Sequence, residues 1–390
     1  MPTPLHEPTL AEDGVLRPTH LLVDRGRLAD NLRAIARHVA PAKVMPVLKA
    51  NAYGHGLVPV ARLYEEIGAP YLAVAYLEEG MRLRRAGIRT PILVLGGILG
   101  SQLPLFIEHD LTITASSVDK LEAIEASARE AGRRARVHLK IDTGMERIGV
   151  HWYSADALLE RALRCTHTHV EGIFSHFANS DAPDLTHARL QLERFEEVLE
   201  TWARRGPPVL RHIANSGAVE ALPESWLDLV RPGILAYGVH PSRDVPRQVQ
   251  VRPALTWVSR VVYFKVVKPG NPVSYGSTWA PKELTRLVTV PVGYGDGYAR
   301  RMSGRAEVVL HGRRYPVVGR ICMDQVMVDI GWDSAYNADE VVLLGERDGA
   351  AVTAEELAEW AGTLPYEILT GINTRVPRVY VGEVGPERLP

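Results

Sequence analysis

Short apolar runs alternate with stretches of helical spacing as far as about residue 250. Leu21, Leu22 and Val23 form the first run. Leu28, Leu32, Ile35, Ala36 and Val39 then repeat along one helix face. The run Val44-Met45-Pro46-Val47-Leu48 follows, and further strand candidates lie at 71–75, 92–95, 111–114, 137–141, 170–174, 209–213 and 227–230. Helical stretches such as 117–131 and 190–203 separate most of them. This alternation predicts parallel strands joined by crossover helices, an α/β fold. Nine candidates are one too many for an eight-stranded barrel. Taking the first out leaves 44–48 as strand one, with 209–213 and 227–230 as strands seven and eight. An open doubly wound sheet competes, but the Gly-x-Gly-x-x-Gly turn wanted after its first strand is absent.

The pattern changes near Arg252. Strand-like stretches at 258–267, 287–292, 307–311, 315–318, 326–330 and 340–344 are separated by Gly and Asp turns, and only 353–361 and 366–369 have helical spacing. The chain therefore divides into an N-terminal segment, 1–23, a (β/α)8 TIM-type barrel, 24–250, and a mostly β C-terminal domain, 251–390. The Pro- and Arg-rich stretch 240–253 is the expected linker.

Composition narrows the partners. Hydrophobic residues make up 46% and charged residues 23%, as in an ordinary soluble globular protein. A formal charge of -1 favours neither nucleic acid nor an anionic membrane surface. No apolar run approaches the ~20 residues of a membrane helix, and residues 1–14 have no signal-segment pattern. The two cysteines, Cys165 and Cys322, exclude a disulfide scaffold and fit a reducing cytoplasm.

Candidate chemistry follows the strands, as a barrel site requires. Lys49 closes strand one, so its amine is carried on a rigid element into the barrel mouth. There it can lose solvent, shift its pKa and attack a carbonyl, which points to a Schiff base. Tyr53, Gly54 and Gly56 add a phenol and close backbone approach beside it. Asp142-Thr143-Gly144-Met145-Glu146-Arg147 follows strand five, Ser175-His176 strand six, His212-Ile213-Ala214-Asn215-Ser216 strand seven and Arg231-Pro232-Gly233-Ile234 strand eight. The last two loops are where barrels bind phosphate, and Ser216, Gly233 and the Ile234 N–H suit that task. An amine facing a phosphate nest fits a phosphorylated aldehyde cofactor, pyridoxal 5'-phosphate.

Lys-Ala-Asn-Ala-Tyr-Gly-His-Gly at 49–56 resembles the cofactor-lysine motif of the alanine racemase family. The resemblance continues through Lys140-Ile141-Asp142-Thr143-Gly144-Met145, His176-Phe177, Ala214-Asn215-Ser216, Arg231-Pro232-Gly233-Ile234, Ser274-Tyr275-Gly276, Gly293-Tyr294-Gly295-Asp296-Gly297, Arg320-Ile321-Cys322-Met323-Asp324-Gln325 and Arg375-Val376-Pro377-Arg378. It implies a barrel plus β domain, an amino-terminal strand that joins the second domain, and a homodimer with shared active sites. The implied reaction interconverts L- and D-alanine and supplies D-alanine for peptidoglycan.

The resemblance also implies roles. Lys49 would hold the cofactor as a Schiff base and serve as base for the D-enantiomer. Tyr275, from the β domain of the partner, would be the opposite base for the L-enantiomer. His176 would link Tyr275 to Arg231, and Arg231 would face the pyridine nitrogen, with His212 behind it. Because guanidinium offers only donors, that nitrogen would stay unprotonated and the ring would be a weaker electron sink. Tyr53, Ser216, Gly233 and Ile234 resemble phosphate contacts. Arg147 and the Met323 N–H would hold the substrate carboxylate, and Tyr294 would limit side-chain size. Lys140 would carry carbon dioxide as a carbamate beside Arg147.

Two positions depart from the family pattern. Thr374 stands where some members have a phosphate-contacting tyrosine, and Glu146 stands where glycine is common. The competing readings are an amino-acid decarboxylase or a broad-specificity amino-acid racemase on the same barrel. Arg231 argues against the decarboxylase, whose family places a carboxylate at the ring nitrogen.

Overall fold

The computed structural model describes residues 16–390. The expected lack of a signal segment at 1–14, and most of the segment 1–23, lie outside the described residues. The described residues form two compact units: Gly26–Arg252 with Val384–Pro390, and the described residues up to Arg25 with Pro253–Glu383.

In the first unit eight parallel strands close a barrel: Lys43–Val44, Leu72–Val74, Ile92–Val94, Thr112–Ala115, Ala135–Asp142, Thr168–Phe174, Leu210–His212 and Leu229–Val230. The ladder is continuous from strand two to strand seven. Strand eight pairs with strand one, and a bridge joins Val47 to Ala73 of strand two. On the last seam Asp228 N–H donates to Arg211 O at 3.2 Å and Arg231 N–H to Ala214 O at 2.9 Å. The strands read as unbroken apolar runs because both faces are buried; Leu72, Ala73, Val74, Ile92 and Leu93 are fully enclosed.

Strand one is shorter than the expected 44–48. Pro46 has no N–H to give to a ladder. The segment keeps its place because the Met45, Val47 and Leu48 N–H groups donate to the Val230, Pro232 and Ala73 carbonyls at 2.8, 3.0 and 2.7 Å. A short strand unforeseen in the sequence, Val150–His151, pairs with the end of strand five. The last residues, Val384–Pro390, group with the barrel: the buried Arg33 donates to Gly385 O at 2.7 Å, and Leu389 N–H to Ile67 O at 2.8 Å.

The second unit is built on one sheet in the order Tyr263–Val267, Thr285–Val290, Val326–Gly331, Arg313–Val318, Glu307–Leu310, Glu340–Arg347, Leu255–Arg260, His20–Asp24 and Arg378–Val381. His20–Asp24 lies antiparallel to Leu255–Arg260 and parallel to Arg378–Val381. The run 258–267, expected as one strand, is two. At Val261 and Val262 the backbone changes partner, donating to Asp339 O and then to Thr289 O, both at 2.9 Å. Ala350–Val352 and Arg378–Val381 are strands that sequence pattern did not reveal. Helix Ala354–Ala361 starts at Thr353, whose hydroxyl accepts the Glu356 N–H while Glu356 caps back. Among the described residues no helix is long and apolar enough to cross a membrane.

Candidate active site

Lys49 leaves strand one at the barrel mouth, and the backbone beyond it turns the unusual way. Ala50, Asn51, Ala52 and Tyr53 have φ of 54, 57, 53 and 50°. Left-handed backbone costs a non-glycine residue ~1–2 kcal/mol, so such a turn persists only where its surroundings over-determine it. Ala52 N–H donates to Leu48 O at 2.7 Å and Gly56 N–H to Asn51 O at 2.9 Å. Asn51 Oδ1 accepts the Leu57 N–H at 2.9 Å, starting helix Leu57–Glu66. Glu79 Oε1 accepts the Ala50 N–H at 2.8 Å, and its Oε2 accepts the Ala75 and Tyr76 N–H groups at 2.8 and 3.3 Å. Glu79 thus ties the lysine turn to the loop after strand two. Its one sequence signal is a carboxylate three residues after Tyr76, the pattern of a helix start.

Lys49, Lys140, Arg147, Phe174, His176 and Arg231 line one cavity of about 400 Å³ at the carboxyl ends of the strands. Ala75, Tyr76, Leu95, Gly96, Gly97 and Ile148 complete the wall and were not foreseen there. A Cβ on Gly96 would stand 2.5 Å from Ala75 O, so glycine lets two strand ends close together. Desolvation, and then the Arg147 guanidinium, hold the Lys49 ammonium below the ordinary lysine value, with Glu79 opposing. Lys140 is buried at 4% exposure, and burial pushes its pKa well down. Its Nζ lies 4.8 Å from the Phe174 ring centre and has no hydrogen-bond or ion-pair partner among the described residues.

The loop carrying Arg147 is gathered by one carboxylate. Asp142 Oδ1 accepts the Gly144, Met145 and Glu146 N–H groups at 2.8, 3.0 and 3.2 Å, and Oδ2 accepts the Arg147 N–H at 3.1 Å. Glu146 has φ of 53°, which explains the glycine common there. Its carboxylate turns to His151 Nε2 at 2.9 Å.

Arg231 is buried and held from several sides. Its Nη2 donates to Ser175 O, Ile213 O and His176 Nδ1 at 2.7, 3.0 and 3.2 Å, and Nη1 meets His212 Nδ1 at 2.7 Å. Guanidinium only donates, so both histidines accept through Nδ1 and carry their proton on Nε2. Burial and the Arg231 charge push both imidazoles well below the usual histidine range, keeping them neutral. The Arg231 Nε–H and one Nη1 hydrogen have no acceptor among the described residues.

Beside strands seven and eight, Ser216 Oγ accepts the Gly233 and Leu235 N–H groups at 2.9 and 3.3 Å. The Gly233 N–H, expected to face a phosphate, is therefore engaged by Ser216. The Ser216 hydroxyl hydrogen and the Ile234 N–H remain as donors. A Cβ on Gly233 would fall 2.3 Å from Tyr53 Oη. The buried Tyr53 ring is stacked on Tyr237 at 4.9 Å and cannot swing aside. Gly233→Ala is expected to weaken cofactor binding by at least about tenfold, the order of one displaced hydrogen-bond donor. An absorbance titration of the apoprotein measures it.

In the other unit, Tyr275, Tyr294 and Met323 are exposed by 70, 42 and 52%. Ser274, Gly276 and Ser277, around Tyr275, have φ of 66, 72 and 50°. Ser274 Oγ anchors this turn on Arg320 O at 2.6 Å. The Tyr294 and Gly295 N–H groups donate to Cys322 O and Met323 O at 3.0 and 2.9 Å, so the Tyr294 and Met323 loops are one layer. Asp296 fixes that layer through Arg375 Nε at 2.7 Å and the Gly293 N–H at 3.0 Å. Thr374 lies exposed on a turn.

A family model described as the alanine racemase N-terminal domain matches residues 23–241, and one described as the alanine racemase C-terminal domain matches 254–380. The chain belongs to the alanine racemase family. It is 45% identical to the alanine racemase of Symbiobacterium thermophilum, over 94% of this chain and 98% of that one. It is similar to the crystal structure of alanine racemase from D-cycloserine producing Streptomyces lavendulae, with 40% identity, a TM-score of 0.91 and coverage of 95% and 98%. The alanine racemase of Bartonella henselae, described with covalently bound pyridoxal phosphate, is 26% identical with a TM-score of 0.85, over 93% of this chain and 99% of that one. As a member of this family the chain is a pyridoxal-phosphate-dependent isomerase, and the decarboxylase reading falls away. The residues present fit that cofactor: a desolvated amine, hydroxyl and backbone donors around a glycine that alone admits Tyr53, and, on the cavity wall, Arg231 hydrogens without an acceptor.

Proposed function

We propose that alanine is racemised in the barrel cavity by two opposed bases, Lys49 and the Tyr275 of a second copy of the chain. The observation that carries this reading is the convergence of Lys49, Arg147, His176 and Arg231 on one cavity. Tyr53, Ser216 and Ile234 would hold the cofactor phosphate, and Arg231 its ring nitrogen. When bound, the cofactor supplies an aldehyde that condenses with amines and a conjugated ring that takes up charge from the α-carbon.

The chain's own groups do the rest. The Lys49 amine, largely stripped of solvent, takes or returns the α-proton on one face, serving D-alanine. The phenol of Tyr275 does so on the other, serving L-alanine. A phenol ordinarily titrates near ~10, so it needs a donor beside it. His176 has its proton on Nε2 and can give that hydrogen bond. Arg231 cannot release a proton to the ring nitrogen, which leaves less charge delocalised and less time for side reactions. The Arg147 guanidinium and the Met323 N–H would fix the carboxylate, and Tyr294 would favour a methyl side chain. Such a pocket discriminates one methylene ~10- to 200-fold.

Support for a homodimer comes from the exposure of Tyr275 and Met323 and from the outer strand beside them. Tyr263, Phe264 and Val266 are 56, 50 and 53% exposed there, a surface that a second chain would cover. We place the reaction, and its supply of D-alanine to peptidoglycan, in the cytoplasm. With purified holoenzyme, L-alanine should lose its optical rotation without release of carbon dioxide. Retained rotation with the cofactor bound would reject the reading.

Lys140 is proposed to add carbon dioxide through its neutral Nζ, forming an N–C bond and releasing one proton. The resulting anion would lie in the field of the Arg147 guanidinium and brace it. Carbon-13 bicarbonate should give a carbamate resonance that Lys140→Ala loses. A well-resolved crystal structure with a bare amine there would sink this idea.

A further inference from the structure

The hydrogen-bonded chain that starts at Arg231 does not end at His212. His212 Nε2 lies 2.8 Å from Nδ1 of His138, and both rings are fully buried. His138 stands on barrel strand five, two residues before Lys140, so the two side chains share a face of the strand.

We propose that His138 is a positioning residue that locks His212 in the Nε2–H tautomer and so keeps its Nδ1 as a permanent acceptor for Arg231. The direction of the chain follows from donors alone. Arg231 can only donate, so His212 Nδ1 must accept and His212 Nε2 must bear the hydrogen. His138 Nδ1 then has to accept, which places its own proton on Nε2. That Nε2 is buried with no partner. An unmet buried donor costs ~1–3 kcal/mol. The other His138 tautomer would set N–H against N–H and spoil the existing bond as well. A protonated His138 fares no better, because it would force a hydrogen onto His212 Nδ1, opposite the guanidinium.

Packing is shaped around this contact. A Cβ at Gly172 on strand six would stand 2.7 Å from His138 Nδ1 and Cε1, so a side chain there would drive the ring off His212. Phe174 stacks on His212 at 5.0 Å and 7°. Without an acceptor at His138, the His212 ring can turn over or shift its proton, and either change presents N–H to Arg231.

The catalytic consequence rests on the proposed place of Arg231 at the ring nitrogen; the tautomer does not. Nitrogen-15 NMR of histidine-labelled holoenzyme, with resonances assigned by loss in His212→Asn and His138→Asn, tests the lock. Both histidines should be neutral with the proton on Nε2. In His138→Asn the amide oxygen can replace Nδ1 as acceptor, and His212 should keep its tautomer. In His138→Leu His212 should become a tautomer mixture, and kcat should fall about tenfold in both directions with KM little changed, the size of one lost hydrogen bond. A mixture with unchanged kcat supports the lock and counts against the placement of Arg231. A wild-type His212 or His138 protonated on Nδ1, or a folded His138→Leu with a single Nε2–H form, overturns the proposal. If His138→Leu does not fold, the wild-type spectrum and His138→Asn decide. Loss of the Nε2–H form in His138→Asn would then overturn it.

Discussion

Lys49→Ala is expected to abolish the absorbance of the lysine-bound cofactor and to lower racemisation by about 10⁴-fold or more, since one proton-transfer group alone contributes 10²- to 10⁴-fold. The loss should be severe because nothing nearby can substitute. Lys140, on the same cavity wall, is held against the Phe174 ring with 4% exposure and is the residue proposed to be carbamylated, and Arg147 and Arg231 stay protonated near neutrality. Desolvation lowers the Lys49 pKa, so its amine gives up a proton more readily than an ordinary lysine. Lys49→Arg separates base from charge. It keeps a cation at the same turn but cannot accept a proton, so it should be as inactive as the alanine variant in rotation measurements. Both variants should also lose deuterium incorporation from solvent into D-alanine. An arginine variant retaining a tenth of the activity would show that charge, rather than proton transfer, is what position 49 supplies.

Much of this site was legible because it follows the strands. Lys49, His176 and Arg231 each follow an apolar run and His212 ends strand seven, and a barrel turns such a sequence position into a place near the mouth. The closing bridge at Val47 was harder to read, since Pro46 interrupts the ladder that periodicity would assume. The left-handed turn at Ala50–Tyr53 had no sequence signal. Asparagine tolerates that backbone but alanine and tyrosine do not favour it, and bonds from Glu79 and Asn51 help to hold it. Glu79, and the role of Asp142 in gathering its loop, were hidden for the same reason. They act on backbone N–H groups, and apart from the helix-start position of Glu79 that leaves little trace in side-chain pattern. Gly233 was recognised as a phosphate residue, yet its N–H belongs to Ser216, and its lack of a side chain matters for Tyr53. The split of 258–267 into two strands depends on which neighbour each N–H meets, and a run of apolar residues does not specify that.

Tyr275→Phe is expected to lower racemisation by about 10²- to 10⁴-fold, while solvent exchange of the D-alanine α-hydrogen, which depends on Lys49, persists. That separation tells a lost base from a damaged fold. The same pair of variants tests where Tyr275 acts. A heterodimer of one Lys49→Ala chain and one Tyr275→Phe chain has, if sites are shared, one site lacking both bases and one with both intact. Equal mixing and reassociation of two nearly inactive proteins should then restore roughly a quarter of the wild-type activity, because half of the randomly formed two-fold dimers carry one working site. If Tyr275 served the cavity of its own chain, every site would lack one base and mixing would restore nothing. The exposure of Tyr275, at 70%, makes the first outcome the expected one: a phenol so open can work as a base only where another surface strips its solvent away, and its strained turn holds it out for that contact.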